Sequence, residues 1–390
     1  MINIQELKAR PIYGYLKYLT LAQAAAFQGW TALYANFAVE IARINGQENG
    51  VVQSIKELPG LLSIGLVLFL ALAKETTLAS LSILVCGLGV AATGWFPSFP
   101  GLIFWCLISS FGFHYFEAIN QSLTLQHFEL TEAPLIISRL RSFTALGSLT
   151  MGLIIFTFSS FDFRFLFGVA GFIAITAALW SFFHRPSDQG LTPQKRGLVF
   201  KKRYWLFYVL TGLSGARRQI FTVFSIFLLV EYFRFSLWQM SLLFLFNNGL
   251  NYFLNPYIGL AINRVGEKKL LTAKYLTVLA ICVAYVFCDN PILAAGLYIL
   301  DQLTFCFTVS IRTYFQKIAA PEDIAPSMAV GVTVNHIVAV IVPFVGGMMW
   351  MYSRRLPFLL GIVFALGSLI MTTYMKTKDD PKGEVALAAK

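Results

Sequence analysis

Residues 58–73 read Leu58-Pro-Gly-Leu-Leu-Ser-Ile-Gly-Leu-Val-Leu-Phe-Leu-Ala-Leu-Ala73, sixteen residues without a charge. A helix needs about 20 mostly apolar residues to cross the hydrocarbon of a bilayer, so a run of this length points to a membrane more than to a soluble core. The whole chain has the same character. Hydrophobic residues make up 57% of its 390 positions and charged residues 13%, against about 45–50% and about 25% in ordinary soluble domains. Mean hydropathy is +0.69. A soluble fold buries only about three quarters of its chain surface, too little to hide this apolar load. The composition therefore excludes a soluble enzyme, a nucleic-acid binder and a disordered scaffold.

Cutting the apolar runs at charge clusters and at Gly/Pro turns predicts twelve spans. In the first half they are 15–39, 51–73, 78–95, 101–123, 138–159 and 163–183. In the second half they are 204–230, 237–262, 268–288, 292–316, 327–350 and 356–375. The expected fold is an all-α polytopic membrane protein with about twelve transmembrane helices in two six-helix pseudo-repeat bundles. Residues 1–183 form one bundle, 184–203 a cytoplasmic linker, and 204–390 the other. The linker, HRPSDQGLTPQKRGLVFKKR, is the longest polar stretch. The start, Met1 to Arg10, lacks the short apolar core and small-residue cleavage site of a signal peptide, so the first span is expected to stay in the mature protein. The five cysteines include no C-x-x-C pair and read as buried apolar thiols rather than disulfides or metal ligands.

The formal charge of +11 has to be read by loop. Cytoplasmic loops collect Lys and Arg. With both ends inside, the cytoplasmic segments hold about 19 basic residues, among them Arg185, Lys195, Arg196, Lys201, Lys202 and Arg203. External loops hold about five, including Arg43, Arg164 and Arg234. Both termini are expected in the cytoplasm of a bacterial inner membrane. The halves also echo each other. Phe37 and Glu40 find Phe227 and Glu231 about 190 residues later, Gln126 and Glu132 find Gln316 and Glu322, and Ile64-Gly65-Leu66 finds Ile258-Gly259-Leu260. Repeated halves are a common way to build secondary transporters.

The loop after the eighth span reads Gly259-Leu-Ala-Ile-Asn263-Arg264-Val-Gly266-Glu-Lys268-Lys269. It resembles G-x-x-x-[DN]-R-x-G-x-[RK]-[RK], the signature of the major facilitator superfamily, which lies between helices two and three and recurs between eight and nine. Gly259 permits close helix packing, Gly266 a tight turn, and Arg264, Lys268 and Lys269 meet the cytoplasmic face and helix ends. Of the first copy only Gly65 and Lys74 remain. Val342-Pro343-Phe-Val-Gly346-Gly347 is similar to part of the G-P-x-x-G-G motif of family antiporters, which sits on helix five there. The resemblance implies two six-helix bundles around a central cavity, alternating access, and a gating role for Gly259, Asn263, Arg264, Gly266, Lys268 and Lys269.

A charge at the bilayer centre costs about 2.5–3.5 kcal/mol, so a retained one is a functional candidate. Arg217 and Arg218, Asp301, His336 beside Asn335, and Asn247 with Asn248 all fall at mid-depth in four spans of the second half. One arginine is expected to bind substrate while the other pairs with Asp301, and spacing alone leaves open which does which. Asn248, Asn251 and Asn255 share a helical face, as do Asp301, Phe305, Thr308 and Arg312. In the first half, Gln23, Phe27, Trp30 and Tyr34 line one face with Gln28 also deep. Lys56-Glu57 precedes a Pro59-Gly60 break expected to free carbonyls. His114, Glu117 and Gln121 share a face of the fourth span. Glu57, Glu117 and Asp301 are candidate proton carriers, and Arg217, Arg218, Asn247, Asn248, Asp301, His336, Gln28, Trp30 and Tyr34 candidate substrate contacts.

No Walker A loop, G-x-S-x-G, H-E-x-x-H or metal-spaced His/Cys set occurs, so neither a cofactor nor catalysis is expected. The expected activity is secondary transport of a small organic solute by alternating access, leaning to an anionic or zwitterionic one by charge matching. A coupling proton or other ion is a further partner. A monomer in the lipid bilayer, with no nucleic acid, is expected. Proton-coupled efflux of a drug or cation is the alternative. A lipid-acting membrane enzyme is more remote, hinted at only by His127 with Glu129 and Glu132. Placed as a single cysteine, position 187 should resist an impermeant thiol reagent outside intact cells and react after lysis; labelling from outside would reverse the topology.

Overall fold

The computed structural model describes residues 9–62, 73–128, 132–186, 200–320 and 323–375, with Glu6 and Phe69 besides. Gly65, Glu129, Glu322 and the middle of the linker, 187–199, lie outside the described residues, as do the side chains of Asn251, Asn255 and Asn263 and the surroundings of Gly259. The helices are α1 (Pro11–Asn36), α2 (Gly46–Leu61), α3 (Glu75–Thr93), α4 (Phe99–His127), α5 (Ala133–Thr157), α6 (Phe163–Phe183), α7 (Trp205–Gln219), α8 (Leu237–Val265), α9 (Glu267–Val286), α10 (Pro291–Phe305), α11 (Val309–Ile318), α12 (Ile324–Tyr352) and α13 (Leu356–Thr373). A 3₁₀ turn, Cys306–Thr308, joins α10 to α11 within one span. Among the described residues nine segments are long and apolar enough to cross a membrane. Helices α1 and α8, of 26 and 29 residues, are about 39 and 44 Å long at 1.5 Å per residue, more than the roughly 30 Å of hydrocarbon. The protein is an all-α polytopic membrane protein.

Helix starts follow local chemistry. Asn45 and Glu48 form a reciprocal capping box at α2, with both bonds at 2.9 Å. Asp162 caps α6 through Arg164 N at 2.7 Å. Asn290 caps α10 ahead of Pro291. Such caps satisfy amides that have no partner inside the helix. The expected break at Pro59-Gly60 comes slightly later, because α2 runs through Pro59 to Leu61. The hydroxyl of Ser110 on α4 donates to the Lys56 carbonyl in that last turn. The donor that Pro59 lacks would have served the Ile55 carbonyl, one residue earlier, so Ser110 braces the turn beside the proline and does not replace its missing bond.

The chain groups into two compact units, Met1–Lys195 with Val230–Asn248, and Arg196–Leu229 with Gly249–Lys390. In the first unit α3 packs on α4 and α6, and α1 on α5. A Cβ at Gly87 would stand 2.8 Å from the Gly171 carbonyl oxygen, so only glycine allows α3 and α6 to approach this closely. In the second unit α9 packs on α13 and α7 on α12.

The repeat suspected from sequence is built into the backbone. Helix α1 ends in a π-type turn, Phe37–Ile41, and α7 is prolonged by two, Ile220–Ser225 and Leu228–Tyr232. Arg43 follows the first with φ 56°, and Arg234, 191 residues later, follows the last with φ 58°. A left-handed conformation costs a non-glycine residue about 1–2 kcal/mol. Among the described residues these two are the only non-glycines to adopt it. Asn45 and Glu48 are matched at the same interval by Ser236 and Gln239, which bond reciprocally at the start of α8 with Ser236 N to Gln239 Oε1 at 2.9 Å and Gln239 N to Ser236 Oγ at 3.4 Å.

A third match fastens the other end of each half. Arg10, just before α1, holds Glu132 through two parallel bonds of 3.0 and 3.1 Å, the strong bidentate arrangement. Lys201 and Arg203, just before α7, both pair with Asp323 at the start of α12, Lys201 at 2.6 Å. Tyr204 donates to the same carboxylate at 2.7 Å and accepts from Ala320 N at 3.1 Å. The acid in this role is Asp323, one position after the Glu322 that sequence alignment of the halves pairs with Glu132. These hydrogen bonds hold the Asp323 carboxyl down at about 2, led by the bond from Lys201 and then that from Tyr204. A carboxylate depressed in the folded state contributes stability above its unfolded pKa of about 3.9 and loses it as pH falls through the folded value. Thermal melts of the wild type should therefore drop between pH 4 and 2 more steeply than those of Asp323→Asn, which should start lower at neutral pH; parallel curves would remove Asp323 from acid unfolding.

Candidate functional site

Helix α7 carries Arg217 and Arg218 about 100° apart, and the two side chains meet different fates. Arg217 is 0% exposed and forms an ion pair with Asp301 of α10, itself 2% exposed. The rings of Phe221 and Phe305 stand 5.5 and 5.9 Å from the guanidinium carbon, close enough for cation–π attraction. Nε and Nη2 of Arg217 have no hydrogen-bond partner among the described residues.

A third charge joins them. Lys274 of α9, 3% exposed, donates to Thr308 Oγ1 at 2.8 Å and lies close enough to feel both Arg217 and Asp301 electrostatically. The cluster thus sets two basic side chains, Arg217 and Lys274, around one acid in a low-dielectric core. Thr308 belongs to the 3₁₀ turn between α10 and α11, so Lys274 ties that turn to α9. Sequence reasoning missed Lys274, which sits two turns into a predicted span and reads there as an end-of-helix cation. Its position inside the 268–288 segment was the available signal.

Arg218 points elsewhere and is only partly buried. Its Nη2 reaches Asn335 Oδ1 of α12 at 3.5 Å, at the weak limit of a hydrogen bond, and its Nε has no partner among the described residues. Gly215 makes this approach possible, since a Cβ there would stand 2.7 Å from Asn335 Oδ1. His336 follows Asn335, partly buried. Of the two arginines, then, Arg217 is sealed with Asp301, and Arg218 has one long contact to a neutral acceptor among the described residues. Gly346, read from sequence as part of an antiporter motif, lies against the Phe224 ring, where a Cβ would clash. Arg312 is exposed.

The first unit holds the other candidates. On α1 the rings of Trp30 and Tyr34 stack at 4.6 Å, Phe27 and Trp30 lie 6.3 Å apart, and Phe113 of α4 stacks on Phe27 at 3.8 Å. Tyr34 donates to Asn49 Oδ1 at 3.0 Å. Lys56 lies 5.7 Å from the Trp30 ring centroid and donates to Gln53 at 2.6 Å. Gln28 is partly buried, Glu57 is buried, and Glu117 and Gln121 are exposed. The carboxylate of Glu57 and a ring nitrogen of His114 lie within 4.8 Å of each other. Asn247 is buried and Asn248 partly so; both belong to the first unit, whereas Arg217 and Asp301 belong to the second. Glu132, part of the enzyme hint, is committed to Arg10.

At the signature loop Gly266 takes φ 84° and ψ 153°, a region that is essentially glycine-only. Residues 19–343 match the profile of the Major Facilitator Superfamily. The chain belongs to this superfamily. It is a membrane transporter. Its fold is similar to that of a variant of the nucleoside transporter NupG (TM-score 0.76, 14% identity, 94% of this chain and 100% of that one). It is also similar to a bacterial homologue of the human lysosomal transporter Spinster (TM-score 0.74, 12% identity, 93% and 95%). No curated protein matches by sequence. In this superfamily member Arg264 and Lys269 are exposed. Lys268 caps the end of α13 through the carbonyls of Thr373 and Met375, at 3.2 and 3.1 Å. Glu267, buried, pairs with Lys317 at 2.6 Å.

Asp301→Asn should cost about 3–5 kcal/mol, because it leaves buried cations without their anion. Arg217→Gln with Asp301→Asn should recover most of that in a thermal melt. A double variant as unstable as the single would show that Lys274, not Arg217, is the main cation Asp301 serves.

Proposed function

We propose that this transporter is a secondary carrier of a small anionic or zwitterionic organic solute, and that Arg218 binds the solute's acidic group. The observation that carries this is the contrast on α7: Arg217 is paired with Asp301, whereas among the described residues Arg218's guanidinium has one weak neutral contact. A planar guanidinium with free donors matches a carboxylate bidentately. Asn335 and His336 supply further polar groups at the same turn of α12. On this reading Asp301 is a structural partner of Arg217. Coupling by a proton falls to Glu57 beside His114, with Glu117 on the same helix as His114. Asn247, Asn248, Gln28, Trp30 and Tyr34 are the remaining candidate contacts. Arg264 and Gly266 gate the cycle without touching solute. The protein works as a monomer in a bacterial inner membrane, with both termini cytoplasmic.

The stacked rings of α1 favour a second reading, efflux of an amphipathic cation. Against it, Lys56 already sits by Trp30, so a cationic solute would meet a like charge there.

In a thermal-shift screen of purified protein, organic acids and amino acids should stabilise more than sugars or amphipathic cations. Arg218→Ala should weaken the best ligand roughly tenfold or more, the worth of hydrogen bonds to a charged group, and abolish counterflow in proteoliposomes, while melting like the wild type. Stabilisation by cations alone, undiminished in Arg218→Ala, would defeat the reading.

A further inference from the structure

The second unit has a feature that solute binding does not use. An apolar groove of about 470 Å³ runs along α7 between α12 and α13, walled by Trp205, Val209, Gly212, Val334, Val338 and Phe364 among others. Its floor follows α7 from Trp205 to Ala216, a rise of about 16 Å, which is one leaflet of a roughly 30 Å hydrocarbon core. Its mouth lies at the linker end of α7. There Phe200 and Trp205 are exposed, and Trp205 packs edge-on to Tyr374 with centroids 6.2 Å apart. Such aromatic clusters mark the headgroup level of a bilayer. Three basic residues, Lys201, Lys202 and Arg203, lie in sequence between the groove's wall residues Phe200 and Trp205. Lys201 and Arg203 are engaged by Asp323, but Lys202 between them is exposed and pairs with no acid among the described residues.

We infer that the groove seats one acyl chain of an acidic phospholipid from the linker-side leaflet, with its phosphate at Lys202. The wall is apolar and the rim cationic, which fits a lipid carrying a net negative headgroup and disfavours a zwitterionic one. A polar peptide would leave its backbone groups unsatisfied against these walls. The placement gives the lipid a consequence. Val334 flanks Asn335, and Ala216 precedes Arg217, so a chain in the groove fills the outer side of the α7–α12 contact at the turn where Arg218 meets Asn335. The lipid braces the helix pair that presents Arg218.

The test is native mass spectrometry of the delipidated full chain, titrated with phosphatidylglycerol and with phosphatidylcholine of the same acyl chains. The wild type should retain the first about fivefold better, the effect of one lysine near an acidic headgroup. Lys202→Glu, at an exposed position, should erase that preference. Val209→Trp, which fills the groove from a site already 38% exposed, should reduce retention of both lipids. Equal retention by the wild type, or a preference that survives Lys202→Glu, would overturn the headgroup assignment. Unchanged binding in Val209→Trp would overturn the seat and leave the groove to another segment of the chain.

Discussion

Arg217 has no water to turn to. Its side chain is wholly enclosed, and the free energy of an isolated cation in a hydrocarbon-like interior would unfold the helices around it. Asp301 removes most of that cost, and two aromatic rings take part of the rest. The pair holds α7 to α10. Through Lys274 and Thr308 it also reaches α9 and the 3₁₀ turn that bends the α10–α11 span. Helices α7, α9 and α10 of the second unit meet around this one neutralisation. The acid pairs with one of the two adjacent arginines, and the next residue on the helix, rotated by about 100°, reaches Asn335 instead.

The two units solve the same architectural problem with different chemistry. Each opens with basic residues locked to an acid before its fifth helix or its counterpart, Arg10 with Glu132 and Lys201 with Arg203 on Asp323. Each turns out of its first helix through a π-type segment and a left-handed arginine. Between these shared ends the contents diverge. The first unit fills α1 with stacked aromatic rings bordered by Asn49, Gln53 and Lys56, and the second places charges at the corresponding depth. A duplicated frame can tolerate this divergence because caps and clasps at the helix ends fix the backbone, leaving the mid-depth side chains free to specialise.

The fold was legible because hydropathy, loop charge and one signature loop all report on the bilayer, which constrains every residue of a span. Arg217, Asp301 and Glu57 stood out because charge inside an apolar run is costly. What stayed hidden depended on rotation and on distance in sequence. Nothing in an Arg-Arg pair tells which one faces an acid 84 residues away. Lys274 sat close enough to a helix start to pass for a surface residue. The clasp of Asp323 was obscured because Glu322 precedes it, and only geometry separates two adjacent acids. The π-type turns left their trace as a shift from 190 to 191 in the spacing between halves, too small to interpret without the backbone.

Lys268 gives the signature loop a reach beyond its own turn. Its ammonium bonds the carbonyls of Thr373, the last residue of α13, and of Met375 two residues on, where the helix dipole also favours a cation. The end of α13 is therefore fastened beside the loop between α8 and α9. A reporter attached just beyond Met375 would move with that loop instead of swinging freely, and a bulky fusion placed there would load it mechanically. The choice of where to attach a tag, usually treated as neutral, becomes for this protein a choice about whether the α8–α9 loop is left undisturbed.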